Sequence, residues 1–292
     1  MFGKLLFYFH SIGKTKYVYC DELYGALHMI NNLQQILTKF KEPNTELLFQ
    51  MLESMTVGEI LKDARVIQAM RNIRIEDFIT EEMIVSVMPP DKKLSGILKE
   101  DDIIGVLGEL FTFFYTNRPL MFYKNPSPEP PDLTRTTGAP HMIGIIAQLL
   151  DIEEHDKILI LGSKSGYMES ILQDIEKNTE AYVIEKVPDI YRITKSNIDR
   201  IQGKTKIFLG DPVYYIKNLP VKEFDKILLT GYVKTIPLQV INHLKVGGVL
   251  CAPVGSFYEQ FFLRYFKTGK DSWDEETHLR VMFSRLITSY QN

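Results

Sequence analysis

Cysteine is scarce in this chain: two occur in 292 residues, Cys20 and Cys251, far apart and without the paired spacing of a metal knot. Neither a disulfide framework nor a zinc site is indicated, and a reducing, cytoplasmic setting is the default expectation. A strong charge of either sign is also missing. With 34 Lys and Arg against 37 Asp and Glu, the formal net charge is −3, which leaves no global basic footprint for nucleic acid. Long apolar runs are absent too. The stretch from Ile103 to Tyr115 is broken by Glu109 and falls short of the roughly 20 residues that span a bilayer. The start, MFGKLLFYFH, holds too brief an apolar run for a secretory signal, so neither export nor a membrane span is expected.

What is present is an ordinary globular mixture, 45% hydrophobic and 24% charged, enough for one large domain with an appendage. Between Asp21 and Phe40, Leu23, Leu27, Ile30, Leu33, Leu37 and Phe40 recur at steps of three and four, predicting an amphipathic helix that Pro43 ends. A second helix is expected from Asn44 or Thr45. A third is expected at Thr56, where Thr56 and Glu59 have capping-box spacing, continuing through Arg65 to Met70. Thr80 to Asn117 reads as helical without clear boundaries. The aromatic run Phe111, Phe113, Phe114 and Tyr115 is expected to be buried packing, and Asp91, Lys92 and Lys93 a solvated turn. PSPEPP, from Pro126 to Pro131, reads as a stiff loop between subdomains.

After Pro140 the pattern alternates. Helices are expected at His141 to Leu150, Ser165 to Ile175, Pro188 to Ile198 and Pro237 to Leu244. Strands are expected at Lys157 to Leu161, Ala181 to Ile184, Lys206 to Leu209, Lys226 to Leu229 and Val249 to Pro253. Such alternation builds βαβ units, hence an α/β fold with a mostly parallel sheet covered by helices. Two further runs, Phe261 to Phe266 and Leu279 to Leu286, predict an antiparallel hairpin at the sheet edge.

The segment KILILGSKSGY, from Lys157 to Tyr167, carries the chemistry: a strand runs into a glycine turn that opens a helix. Gly162 and Gly166 stand where such a turn needs them, and Ser163 and Lys164 lie between. A glycine turn after one strand and an acid ending the next suit an adenosine-containing cofactor, because the turn admits it and the acid holds its ribose hydroxyls. Glu185 supplies that acid, and Asp211, after Gly210, is a third group on the same sheet edge. Each has a plainer reading: glycines also end strands for steric reasons, and Asp211 before Pro212 can simply form a turn. Tyr167 stands where a dinucleotide fingerprint requires its last glycine, which disfavours a dehydrogenase.

These segments, with RVIQAMRNIRIEDFI, NRPL, TTGAPHM, IEKVPDI, the Gly210 and Asp211 pair and FDKILLTGYVKTIPLQVINHLKVGGVLCAPVG, resemble the protein-L-isoaspartate O-methyltransferases among the S-adenosylmethionine-dependent methyltransferases. The resemblance implies a Rossmann-like methyltransferase domain over residues 65–292, with an insertion near 83–116 and a helical extension over 1–64. It implies S-adenosyl-L-methionine as cofactor, with Gly162 and Gly166 beside its methionine part, Glu185 on the ribose and Asp211 near the adenine. The TTGAPHM loop, with Thr137, Gly138 and His141, would lie beside the reacting carboxylate of an isoaspartyl protein or peptide.

Three residues depart from the family pattern at that site. Gly138 replaces a serine, with Thr137 next to it as a substitute hydroxyl. Ile160 replaces an acid that would help hold the cofactor's amino end, and Lys164 replaces a glycine. Lys164 either fills the methionine channel, where its charge repels a sulfonium, swings out, or pairs with a cofactor carboxylate. The expectations therefore include an active carboxyl methyltransferase, a pseudoenzyme whose N-terminal helices engage a protein partner, and a methyltransferase with another acceptor. His10, His28, His155, His243 and His278 show no spacing for ligation or acid–base work.

Overall fold

The structure is a computed structural model that describes residues 6–9, 16–19, 33–80, 83–84, 100–124 and 134–290. Cys20, His10, His28, the first part of the Asp21 to Phe40 helix, Asp91 to Lys93 and the PSPEPP segment lie outside the described residues. The extension begins with an antiparallel ribbon, β1 (Leu6–Phe9) and β2 (Lys16–Tyr19), before its helices.

Helix α1 (Leu33–Lys41) gives way at Pro43 to α2 (Asn44–Val57), as the sequence predicts. No helix starts at Thr56. Its hydroxyl donates to the Leu52 carbonyl within α2, and Gly58 and Glu59 form the terminating turn, Glu59 in the left-handed region. The next helix, α3 (Ala64–Asn72), is capped instead by Asp63, whose carboxylate accepts the Arg65 N–H at 2.8 Å. The capping-box spacing was met by chance in a last turn, where the chain leaves the helix through Gly58 at φ −75° and Glu59 at φ 58°.

Helix α4 (Glu100–Tyr115) lies in the proposed insertion, with Phe111, Phe114 and Tyr115 buried and Phe113 exposed. The described helices spend their apolar faces on the chain's own interior. Ile36, Leu37, Leu48, Leu52, Phe111 and Phe114 share one core with Ile158 and Ile160. Tyr167 is wedged edge-on between Phe78 and Phe114, centroids 5.3 and 5.7 Å away. Each such pair adds about 0.5–1.5 kcal/mol beyond its burial, so the region before the sheet is locked to the helix that follows the glycine turn. A fully buried Glu76 joins the same elements, accepting from Asn44, Arg74 and the Tyr115 hydroxyl at 2.8, 3.0 and 3.0 Å.

A short ribbon, β3 (Met121–Lys124) with β4 (Thr134–Thr136), leads into α5 (Pro140–Leu150). Then come β5 (Lys157–Leu161), α6 (Tyr167–Asp174), β6 (Glu180–Glu185), α7 (Pro188–Arg200), β7 (Lys206–Leu209) and β8 (Phe224–Leu229). The one-turn helix α8 (Leu238–Ile241) is shorter than predicted, since Leu244 already opens β9 (Leu244–Gly255). The strands β10 (Gln260–Gly269) and β11 (Ser272–Val281) complete a seven-stranded sheet of order β11-β10-β9-β8-β5-β6-β7.

Neighbouring strands from β9 to β7 run parallel, and the β9–β10–β11 edge is antiparallel. The buried strands carry continuous apolar runs, Ile158 to Leu161 and Ile227 to Leu229, as a sheet covered on both faces requires. The last strand lies earlier than Leu279 to Leu286. SWDEETHLRV is an exposed, charged edge strand, so apolar patterning cannot announce it, and Leu286 belongs to the segment that follows. The chain reverses its winding between β5 and β8, placing the site at their carboxyl ends.

Candidate functional site

At the end of β5 the backbone turns through Gly162, Ser165 and Gly166, with φ of 84°, 65° and 89°. A Cβ on Gly162 would stand 2.6 Å from Thr230 Oγ1, so glycine there answers both conformation and space. Because Ser165 is part of the turn, α6 starts two residues later than predicted.

Glu185, ending β6, reaches across to this turn. Its Oε2 accepts the Ser163 N–H at 2.9 Å and its Oε1 the Val187 N–H at 2.7 Å. Burial outweighs those bonds and the nearby Arg135 guanidinium, holding the carboxyl above the usual carboxylate range. Behind the turn, Glu169 Oε1 accepts from Ser163 Oγ at 2.8 Å and the Lys164 N–H at 2.6 Å, while Ser163 Oγ also meets Thr194 Oγ1 at 2.6 Å. Burial likewise raises Glu169, and its Oε2 has no hydrogen-bond partner among the described residues.

Lys164 points inward: only 5% of it is exposed, and its Nζ lies over the Phe283 ring, 5.5 Å from the centroid. Burial first, then the Arg135 guanidinium, lower its amine to about 8, against the pull of Glu169 and Glu185. Ile160 is fully buried in the core beneath the turn.

Asp211, after β7, sits at the same edge but is fully engaged. It accepts from Thr288 Oγ1 at 2.7 Å, the Ser289 N–H at 2.6 Å, Lys186 Nζ at 3.0 Å and the Val213 N–H at 3.0 Å. Burial raises its carboxyl, but these donors prevail and hold it at about 2. The C-terminal segment is thereby drawn across the sheet. Its Ser284 and Leu286 exchange backbone hydrogen bonds with Tyr232. Arg285, Leu286 and Ile287 stand over Gly162, Ser163 and Glu185, leaving a cavity of ≈ 10 Å³, about the room of one water.

The loop from Thr136 to Met142 lies beside this ground. Thr137 is fully buried, and its Oγ1 accepts the Leu120 N–H at 3.1 Å, so the hydroxyl braces β3's approach instead of facing the site. Gly138 has φ of 87°. Asn117 Oδ1 accepts the His141 N–H at 2.8 Å and lies 3.0 Å from its Nδ1, capping the start of α5. Burial lowers the His141 pKa, so its ring is neutral at neutral pH.

Sequence reasoning missed three participants. Arg135, buried on β4, donates from Nη2 to the Arg285 carbonyl at 2.9 Å. Glu169 holds the turn from behind, and the segment from Phe283 to Ser289 covers it. The one available signal was Arg135 itself, a lone charge in TRTTGAPHM; the others depend on long-range contacts.

A family model described as protein-L-isoaspartate(D-aspartate) O-methyltransferase matches residues 87–291. A protein-L-isoaspartate O-methyltransferase of Thermosipho melanesiensis is 33% identical over 55% of this chain and 80% of its own length. One of Fervidobacterium nodosum is 30% identical over 65% and 92%. Among solved structures, a putative protein-L-isoaspartate O-methyltransferase of Plasmodium falciparum in complex with S-adenosyl-L-homocysteine aligns with a TM-score of 0.58. It is 19% identical over 82% of this chain and 98% of that one, a likeness of fold. With the glycine turn, the β6 acid and the alanine-proline-histidine loop arranged as above, the chain belongs to the protein-L-isoaspartate O-methyltransferase family.

Proposed function

We propose that this protein is an S-adenosyl-L-methionine-dependent methyltransferase acting on the carboxylate of isoaspartyl residues in proteins or peptides. The observation that carries the reading is the bond from the Ser163 N–H to Glu185, which makes the glycine turn and the β6 acid one cradle, in a chain of this family. The residues fit the cofactor's adenosine half. Each Glu185 oxygen spends one acceptor position on a backbone N–H, and about half of a carboxylate's roughly four positions remain for a ribose diol. On this reading the segment Arg285 to Ile287, which lines the cavity, lifts to admit the adenosine.

S-adenosylmethionine held here would supply a methyl group on cationic sulfur, to be passed to the acceptor carboxylate oxygen as a new C–O bond, with the S–CH3 electron pair left on sulfur and no proton released. An isoaspartyl carboxyl of ordinary pKa, near ~4, is already ionised at neutral pH, so no general base is required. That agrees with a neutral His141 whose ring is tied to Asn117. What this chain's residues contribute is positioning and exclusion of water.

Calorimetry with S-adenosylhomocysteine, followed by transfer of labelled methyl to an isoaspartyl peptide but not its normal aspartyl twin, is the expected result. Equal labelling of both peptides would assign another acceptor. The small cavity and the buried Lys164 favour one second reading, a family member that has kept the fold without turnover; absence of binding at millimolar S-adenosylhomocysteine would establish it. The motive for a separate protein partner is the Asp21 to Phe40 helix; of its apolar face, Leu33, Leu37 and Phe40 pack on the chain's own core, and Leu23, Leu27 and Ile30 lie outside the described residues. Among the described residues, no helix is long and apolar enough to cross a membrane.

A further inference from the structure

We infer that Lys164 is the acceptor-side anion contact of this site, its ammonium receiving the carboxylate that is to be methylated. The inference rests on the function proposed above and names a residue that confers its specificity.

Direction is the first argument. The acids suited to adenosine, Glu185 and Asp211, end β6 and β7 on one side of β5. Lys164 leaves the same turn toward the opposite side. Its Nζ lies over Phe283, and Phe283 is held against β10 by both ends of one amide: its N–H donates to Gln260 Oε1 at 2.7 Å, and its carbonyl accepts from Gln260 Nε2 at 3.1 Å. The lysine is therefore aimed at a fixed wall across β8 and β9, the half of the sheet edge that adenosine leaves for the acceptor.

Lack of a direct partner is the second. The side chain is almost wholly buried, and among the described residues its ammonium has the Phe283 ring beside it but no ion pair or hydrogen bond, Glu169 and Glu185 acting on it without contact. Glu169, the nearest acid behind it, binds the Lys164 backbone N–H. A buried ammonium without a partner is a costly arrangement that an incoming carboxylate relieves. The third is complementarity. The loop beside the site has Gly138, with no side-chain donor, and the Thr137 hydroxyl accepts the Leu120 N–H and donates to the Gly138 carbonyl, so the cation supplies what that loop lacks.

The charged groups facing the amine are Arg135 from β4, Glu169 from α6 and Glu185 from β6. With the amine at about 8, acceptor affinity is expected to hold below that pH and decline above it.

The test is titration of an isoaspartyl hexapeptide into the full-length protein saturated with S-adenosylhomocysteine, from pH 6.5 to 9.5. Lys164→Gln is expected to weaken the peptide about tenfold or more and leave S-adenosylhomocysteine affinity within about twofold. Lys164→Arg is expected to retain the peptide and abolish the decline above pH 8, which shows that charge, not folding, is read. Peptide affinity unchanged in Lys164→Gln overturns the inference. So does a larger change in S-adenosylhomocysteine affinity: a fall means the lysine pairs with the cofactor's own carboxylate, and a rise means it plugs the channel. If the wild-type protein binds no S-adenosylhomocysteine, the proposed function itself falls, and this inference with it.

Discussion

The two halves of the site are built on opposite principles. On the side of β6 and β7, Glu185 and Asp211 are wired to backbone N–H groups, hydroxyls and a lysine. On the side of β8 to β10, Lys164 stands against an aromatic ring with no ion pair among the described residues, the acids that draw on it, Glu169 and Glu185, being bonded to backbone N–H groups. Satisfied groups fix a shape, whereas an unsatisfied one waits for a ligand. Altering the acids of the cofactor half should therefore cost stability and binding together, whereas replacing Lys164 should cost acceptor binding without costing stability.

The largest effect is expected for Glu185→Ala. It orphans the N–H groups of Ser163 and Val187, each bonded to a carboxylate, at about 3–5 kcal/mol of stability in total. Urea denaturation should show the loss, and calorimetry should show S-adenosylhomocysteine weakened by about 100-fold or more. If stability fell while affinity stayed, the acid would be a turn brace only, and the contrast between the halves would disappear.

Lys164→Met should move stability the other way. A drop from the ordinary 10.5 to about 8 means the folded chain carries this ammonium at a cost of about 3 kcal/mol at neutral pH, which a methionine against Phe283 removes. The sign with pH is determined. Both states are protonated below about 8, so the gain is complete there; between about 8 and 10.5 the unfolded chain binds more protons, wild-type stability rises, and the gain shrinks. Melting curves at pH 7 and pH 10 check it. A stabilised variant that no longer holds the acceptor is the expected trade.

Gly138→Ser restores the family's hydroxyl on the acceptor side. The residue has φ of 87°, and a Cβ would approach Ile143 Cγ1 at 3.3 Å, so about 1–2 kcal/mol of destabilisation is expected. If Lys164 already serves the acceptor, peptide KM should change less than about twofold; a large fall in KM would show that the missing hydroxyl, not the lysine, limits that half.

The contrast also explains what could be read in advance. Lys157 to Leu161 has the predicted bounds because a strand covered on both faces is a continuous apolar run; Lys206 to Leu209, a part-exposed edge strand, has them too. The glycine turn and Glu185 were legible because their spacing follows from the βαβ unit. The β11 strand escaped because its side chains face water, and the Thr56 start misled because two residues at the right spacing do not reveal that Gly58 terminates the helix between them. Thr137 was offered as a substitute hydroxyl, and only the fold shows it turned toward Leu120. That Lys164 lies inside, Arg135 beside it and Thr288 on Asp211 are contacts between distant residues, with no local pattern to announce them.

The smallest effect is expected where the cofactor half meets the chain's end. Thr288 and Ser289 bind Asp211 at 2.7 and 2.6 Å, holding Arg285 to Ile287 over the cavity beside Glu185. Ending the chain after Ile287 removes both donors and keeps the Tyr232 to Leu286 backbone pair, so stability should fall by only about 1 kcal/mol at this part-exposed position. The rate is the sharper readout. If the segment must lift before adenosine can enter, stopped-flow association of S-adenosylhomocysteine should quicken severalfold, with dissociation quickened to match. The Asp211 carboxyl, held at about 2 in the folded chain, keeps its stabilising bonds until pH falls toward that value, so the difference between full-length and shortened protein should be flat from pH 5 to 8. Unchanged association rates would mean that cofactor enters on the Lys164 side, and the half of the site that is fully bonded would then also be the half that never opens.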